Sequence, residues 1–269
     1  MLIFHVCRFF HFAHAVVFTS GAYFMYLFKV WLGFPFLFAI PLAILSCSFL
    51  GCLIDITVYR PLRLIKTVPM VLLLASLGLY ILLQNTISVV FGDDTKSVRN
   101  WEVKEGLNIL GARITPVQIL IIASSIIITI ALAVYLKKSK MGKAMRAVAS
   151  DPELSNVSGI DSNRVILWSF AIGSGLAAIA GILVCLDVDM TPTMGLNALL
   201  MGVVAVIIGG SRRIWGVVLG ALLLGFAQHF GVLMISSQWQ DAIAFIILLI
   251  FLVFKPEGFT GKKLRKDRI

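Results

Sequence analysis

Residues Ile114–Leu136 read ITPVQILIIASSIIITIALAVYL and hold no Asp, Glu, Lys or Arg. At about 1.5 Å of rise per residue, a helix of that length crosses roughly 30 Å of hydrocarbon. An unpaired charge or open backbone group there would be costly, so the stretch reads as a membrane helix. The pattern repeats along the chain. Seven further uncharged runs are Ala13–Phe28, Phe34–Ile54, Thr67–Phe91, Val165–Leu186, Gly195–Gly210, Ile214–Ile235 and Ala242–Phe254. Thr67–Phe91 is long enough to tilt. Gly195–Gly210 is short, as is Ala242–Phe254 unless Gln238–Gln240 extends it, and both read as tilted, broken or partial spans. The fold class expected is an all-α integral membrane protein, a polytopic bundle of about eight transmembrane segments.

Composition agrees with that reading. Of 269 residues, 59% are apolar and 13% charged, with a mean hydropathy of +0.99. A soluble domain carries about 25% charged residues, and disordered chains are poor in apolar ones, so both classes are excluded.

The chain has 23 Lys+Arg against 13 Asp+Glu, a formal charge of +10. Every charge lies in a connection between runs, and alternate connections differ in sign. One set comprises Arg8, the Asp55–Lys66 turn, the Lys137–Arg164 loop, Arg212-Arg213 and the tail from Lys255; it sums to +12. The other comprises Lys29, the Gly92–Arg113 loop, Asp187, Asp189 and Asp241, and sums to −2. By the positive-inside rule the first set is cytoplasmic, which places both termini there. The +10 is thus a topological bias. No basic helix or aromatic-basic face supports a nucleic-acid partner; the partner expected on all sides is membrane lipid.

Other signals are missing. Met1–Phe12 has no small-residue cleavage site, so no removable signal peptide is expected. Cys7, Cys47, Cys52 and Cys185 lack CxxC spacing and read as apolar filler. His11 and His14 share a helical face, but no third ligand is near, so no metal is expected. There is no GxxxxGK[ST] phosphate loop anywhere and no HExxH, GxSxG or paired carboxylate in any span, so no catalytic residue and no cofactor is expected. ATP, if used, binds another chain.

Two runs carry small residues at four-residue spacing: Gly173, Ala177 and Gly181 in one, Gly216 and Gly220 in another. Such faces let membrane helices approach closely and suit helix packing. Polar groups inside the runs are few. His14, Gln84, Asn85 and Asn197 are candidates for lining a translocation path, with interhelical hydrogen bonding an equal reading of Gln84-Asn85. The lack of an intramembrane charge argues against an ion-coupled carrier.

The longest connection on the positive side, residues 137–164, is the most informative. Gly142–Ala149 is helix-prone; Asp151 then Pro152 reads as an N-cap and first-position proline, and Ser150 with Glu153 has capping-box spacing. With Gly159 as a stop, the spacing predicts a helix of about two turns over Pro152–Ser158 that presents Leu154 and Val157. Docking into a partner's groove and lying on the bilayer both suit such a helix.

These residues carry a family resemblance. The chain resembles the permease subunits of bacterial branched-chain amino acid ABC importers, and within them the first, shorter permease of the heterodimeric pair. The matching stretches are Phe12-Ala13-His14 with Ser20-Gly21-Ala22-Tyr23, Tyr59-Arg60-Pro61-Leu62-Arg63, and Leu77-Gly78 with Leu83-Gln84-Asn85. Next come Gly142–Glu153 with Gly159-Ile160-Asp161, and then Pro192 with Met194-Gly195, Gly209-Gly210 and Phe254–Gly258. The resemblance implies one permease domain over residues 1–269, with a coupling loop at 137–164 and a cytoplasmic tail at 255–269. It implies a second permease subunit, two cytoplasmic ATPase subunits that bind the ATP, and an extracytoplasmic substrate-binding protein, in the bacterial inner membrane. Asp151, Pro152, Glu153, Leu154 and Gly159 would couple to the ATPase, with Arg146 supporting the loop.

The chain departs from the pattern in places. The family carries an apolar helix ahead of the Phe-Ala-His segment, whereas the match here begins almost at Met1. His11 stands where Asn is usual, Ala15 where Gly is usual, and Arg212-Arg213 where a small-residue turn is usual. Branched-chain amino acids are the expected cargo. The alternatives are urea or short amides, a stand-alone channel for small neutral solutes, and a membrane assembly protein.

Overall fold

The computed structural model describes residues 2–7, 9–99, 106–109, 112–210 and 213–260. Arg8, Arg212, the middle of the Gly92–Arg113 connection and the tail beyond Thr260 lie outside the described residues. The elements in order are α1 (Leu2–Cys7), α2 (His14–Tyr26), α3 (Phe36–Ile54), α4 (Arg60–Leu64), α5 (Pro69–Phe91), strands β1 (Leu107–Ile109) and β2 (Ala112–Ile114), and α6 (Pro116–Lys138). There follow α7 (Lys140–Ser150), α8 (Pro152–Val157), α9 (Ser162–Asp187), α10 (Met194–Gly209), α11 (Ile214–Met234) and α12 (Gln240–Phe254). The two strands form only a small antiparallel hairpin, Leu107 opposite Ile114.

Among the described residues, six helices are long and apolar enough to cross a membrane: Phe36–Leu64, α5, α6, α9, Ile214–Leu233 and Ser237–Phe254. Met194–Gly209 is a shorter apolar helix. The structure therefore carries six to seven candidate spans where the uncharged runs counted eight. The difference lies in the first run. It forms α2 and a π-helical continuation, Leu27–Trp31, which ends in Lys29, Val30 and Trp31. His14, Thr19, Ser20, Gly21 and Tyr23 make this helix less apolar than the others, and the packing explains why. Ala15, Val16, Val17, Thr19, Ser20, Gly21, Ala22, Tyr23 and Met25 are all buried. A helix wrapped by protein needs small surfaces for its neighbours, whereas α6, which buries none of its residues within the chain, is strongly apolar up to the lysines at its end.

The chain divides into two compact units, Leu2–Leu196 and the segment from Asn197 onward. In the first, α2, α3 and α9 pack on one another at backbone distance. A Cβ on Gly21 would come within 2.6 Å of the Ala178 Cα, and one on Gly181 would strike the Phe18 carbonyl. Gly51 likewise abuts Ser174, and Gly195 abuts the Ala15 carbonyl. Such contact is how membrane helices gain packing energy without a hydrophobic drive. Gly173 faces Ile3 of α1, and Ala177 is buried in the same interface.

Connections that the charge count put on one face meet one another. Lys66 and Glu153 approach to 3.7 Å, joining the Asp55–Lys66 turn to the 137–164 loop. The Gly92–Arg113 connection likewise pairs with Asp187–Met190 through an antiparallel bridge between Lys96 and Met190.

The second unit is built on α10, α11 and α12 around Val204, Ala205, Ile208, Leu224 and Ala244. Gly209 and Gly216 meet backbone to backbone, and a Cβ on Gly220 would strike the Ala205 carbonyl and come within 2.7 Å of the Gly209 nitrogen. The segment after α12 turns back at Gly258, whose φ is +69°, and closes the end of α10. Phe259 and Thr260 donate their amides to the Ile208 and Gly209 carbonyls at 2.9 and 3.2 Å. These are carbonyls that a helix end leaves open.

Two glycine substitutions should separate packing from propensity. Gly181→Ala, with the Phe18 carbonyl in the way, should cost about 1–3 kcal/mol. Gly78→Ala, with open space beside it, should be neutral or stabilise by up to ~1 kcal/mol. Thermal unfolding of the two variants in detergent checks the contrast.

Candidate functional site

The 137–164 connection is an ordered arm rather than a loose loop. Ser139 ends α6 and caps α7, its hydroxyl accepting the Gly142 amide at 2.8 Å. Gly142, Met145 and Val148 form the buried stripe of α7, and the last two belong to the main core of the first unit. Arg146 donates to the Leu136 carbonyl, tying α7 back to the end of α6.

The short helix α8 is fixed at both ends. The Asp151 carboxylate accepts the Glu153 and Leu154 amides at 2.9 and 3.0 Å. The cap is therefore Asp151 itself; Ser150 closes α7 instead of opening a capping box with Glu153. Pro152 occupies the first turn, where its missing N–H costs nothing. At the far end Gly159 has a φ of +83°, and the Gly159 and Ile160 amides bond to the Asn156 and Ser155 carbonyls at 3.0 and 2.9 Å. This is the paired closure that favours a left-handed glycine. Three side chains brace the turn into α9. Asn156 Oδ1 accepts the Ser162 amide at 3.0 Å, and the Ser162 hydroxyl donates to the Pro152 carbonyl at 2.9 Å. Ser155 donates to the Asp151 carbonyl at 2.7 Å.

What this frame displays is apolar. Leu154 and Val157 are 64% and 86% exposed, one turn apart on a helix that cannot rotate. Glu153 stands beside them, its pair with Lys66 so exposed that it adds little. Asn156, Ser155 and Ser162 were not picked out from the sequence, because bracing across a turn has no local spacing rule.

A second polar group sits inside the first unit. Asp55 is buried, and Arg63 grips it with two bonds of 2.6 and 3.2 Å. Both lie on the continuous helix Phe36–Leu64, brought together by the π-helical turn Asp55–Tyr59. Tyr59 is hydrogen-bonded to His11 Nδ1 at 2.9 Å, and Ser76 accepts the Ala13 amide at 3.1 Å. His11 lies in a box of the Phe9, His14, Tyr59 and Phe170 rings. Among the described residues no three His, Cys, Asp or Glu side chains are placed to hold a metal ion.

The four path candidates fall on three helices in two units. His14 opens α2, with its Nδ1 buried and without a partner among the described residues. Gln84 is half-buried on α5, and Asn85 is exposed and donates to the Ile81 carbonyl of its own helix at 2.7 Å. Asn197 belongs to the second unit, where it donates to Asp241 at 3.4 Å. Gln228 is a further interhelical link there, donating to the Gln240 carbonyl at 3.3 Å.

The opposite face of the first unit carries a clasp. Arg99 donates to the Asp187 carbonyl at 2.8 Å and to the Asp189 carboxylate at 2.7 Å.

Comparison with known proteins places this architecture. Residues 1–252 match the family model described as the permease component of the branched-chain amino acid transport system. The chain belongs to this family. It is 30% identical to the high-affinity branched-chain amino acid transport system permease BraD of Pseudomonas aeruginosa, over 97% of this chain and 89% of that one. It is 31% identical to the corresponding permease LivH of Escherichia coli, over 82% of this chain and 72% of that one. Weaker similarity, 28% over 48% of this chain and 42% of the relative, reaches the ribose import permease RbsC of Haemophilus influenzae. No solved structure matches significantly. The chain is thus a multi-pass membrane protein of the shorter LivH/BraD-like kind. It is the permease component of a branched-chain amino acid ABC transport system, a transport subunit and not itself an enzyme.

Three outcomes follow for this permease. Asp55→Ala strands the Arg63 guanidinium, which should cost about 3–5 kcal/mol and lower the thermal midpoint more than Arg63→Ala paired with it. Asp151→Ala should remove about 1 kcal/mol of cap energy and expose the Leu154 amide to hydrogen exchange. At the clasp, hydrogen bonds from Arg99 first and then Ser97 hold the Asp189 carboxyl below its ordinary value. A depressed acid contributes stability above its unfolded pKa and loses it only as pH falls through the lower, folded value. Protection of the Met190 amide, corrected for intrinsic exchange, should therefore stay flat from about pH 7 to about pH 5.

Proposed function

We propose that this permease carries leucine, isoleucine and valine across the bacterial cytoplasmic membrane, driven through α8 by ATP hydrolysis on separate subunits. A second permease would complete the membrane path, and a binding protein on the outer side would supply the amino acid. Two ATPases would hold all of the ATP, since this chain has no phosphate loop. The orientation puts the 137–164 arm, both termini and the tail from Lys255 inside. It makes eight crossings of the chain, counting α2 with its π-helical continuation and the short α10.

The observation that carries the coupling reading is α8. Its caps and braces hold Leu154 and Val157 out at fixed positions while the rest of the arm is anchored in the core. A rigid apolar pair on a short helix suits insertion into a groove, where flexibility would cost affinity. Arg146 takes part by holding α7 to α6, so that a push on α8 moves α9 and α6 together. The sparse polar lining suits a path that passes an amino acid without retaining it, recognition being left to the binding protein.

Leu154→Glu with Val157→Glu changes only exposed side chains, so the fold should stand within about 0.5 kcal/mol. The pair should abolish co-purification of the ATPases with the permease and uptake with it. Normal association and normal uptake would defeat the coupling reading. Cargo is decided by uptake into vesicles holding the complete assembly: labelled leucine should enter and labelled urea should not.

A further inference from the structure

We infer that Arg99 is a positioning residue for transport: with Asp189 and the Lys96–Met190 bridge it forms a permanent clasp between the ends of α5 and α9. The clasp stands whichever way the chain is oriented; the orientation proposed above adds only that this end faces outward.

The construction combines a backbone bridge with a guanidinium. α5 ends at Phe91 and α9 at Asp187, and the segments that follow them are zipped together. Lys96 and Met190 exchange both backbone hydrogen bonds, at 3.0 and 2.9 Å. Beside the bridge, the planar Arg99 guanidinium spends one nitrogen on the Asp187 carbonyl and another on the Asp189 carboxylate. The Asp187 carbonyl lies at the end of α9, where a helix leaves its acceptors open and its dipole favours a cation. One guanidinium therefore caps a helix and pairs with an acid at once, which a lysine's point charge would not do with the same geometry. Val98 and Met190, one apolar residue from each zipped segment, are both 0% exposed, while Val188 is exposed.

Opening this junction would uncover two fully buried side chains, break two backbone bonds and strand a guanidinium that is only 19% exposed. The contact between connections at the other face is of another kind. Lys66 and Glu153 stand 3.7 Å apart with side chains 85% and 88% exposed, and solvent lets such a pair part freely. The two faces are therefore unequal. Motion communicated through α8 parts it from the Asp55–Lys66 turn, which it meets through the exposed Lys66–Glu153 pair, and the clasped ends of α5 and α9 travel as one piece.

A disulfide tests this directly. Residues that exchange both backbone bonds sit about 5.5 Å apart at Cα, inside the roughly 4.4–6.8 Å that a disulfide spans. Lys96→Cys with Met190→Cys is made in a chain whose four native cysteines are replaced, and assembled with its partner subunits. Closing the disulfide with an oxidant should leave leucine uptake unchanged relative to the reduced protein. Asp189→Ala should lower uptake about tenfold, the scale of one charge-assisted hydrogen bond, and the closed disulfide should restore it. That rescue is the readout a merely local structural role would not give. Loss of uptake on oxidation, reversed by reductant, would overturn the permanent clasp, as would full uptake by Asp189→Ala or failure of the disulfide to rescue it. If Asp189→Ala does not reach the membrane, the disulfide in the unaltered clasp decides alone. ATPase co-purification is measured alongside: the clasp variants should retain it, so a failure here stays distinct from a failure of coupling at α8.

Discussion

Contact between the backbones of α2 and α9 is what the first unit is built around. Gly21 against Ala178, and Gly181 against the Phe18 carbonyl, leave no room for a side chain on either helix. Lipid offers no hydrophobic reward for bringing helices together, so close packing of this kind must supply it. The consequences reach outward. Because α2 is sheathed by its neighbours, it can carry His14, Thr19 and Ser20. Because α9 is held at its centre, its position is fixed at both ends, one leading to α8 and the other meeting Arg99.

Most of the fold was legible as absence of charge. A run without Asp, Glu, Lys or Arg has one physical meaning at that length, and each run became a helix or most of one. The uncharged runs and the count of long apolar helices part at α2. Hydropathy measures how well a helix suits lipid, and α2 faces mainly protein. Its own signal, Ser20-Gly21-Ala22, was present as part of a family motif and not as a packing face. Gly51 and Gly195 were likewise unmarked, because their partners, Ser174 and Ala15, are far along the chain.

The 137–164 arm shows the same division. The short helix, its proline and its glycine stop follow local rules and could be placed within a residue or two. The capping residue was less certain, since Ser150 and Asp151 both suit the role and only geometry shows Asp151 Oδ1 taking the Glu153 and Leu154 amides. The braces from Asn156 and Ser162, the Asp55–Arg63 grip and the Arg99 clasp had no such rule. Each joins residues whose proximity is a product of the fold. Charge counting did anticipate one thing about them, which is that the segments meeting at each face bear the same assignment.

On the reading proposed above, this subunit moves an amino acid while its partners provide the energy and the strong recognition. The uncharged runs hold few polar side chains, and outside those runs the braced helix α8 presents Leu154 and Val157 exposed. The most direct test is uptake of labelled leucine into proteoliposomes containing this chain alone, compared with the chain assembled with its second permease, ATPases and binding protein. The account predicts that leucine enters only the assembled vesicles and only with ATP inside reach of the ATPases. Equilibration of leucine by the chain alone would contradict it.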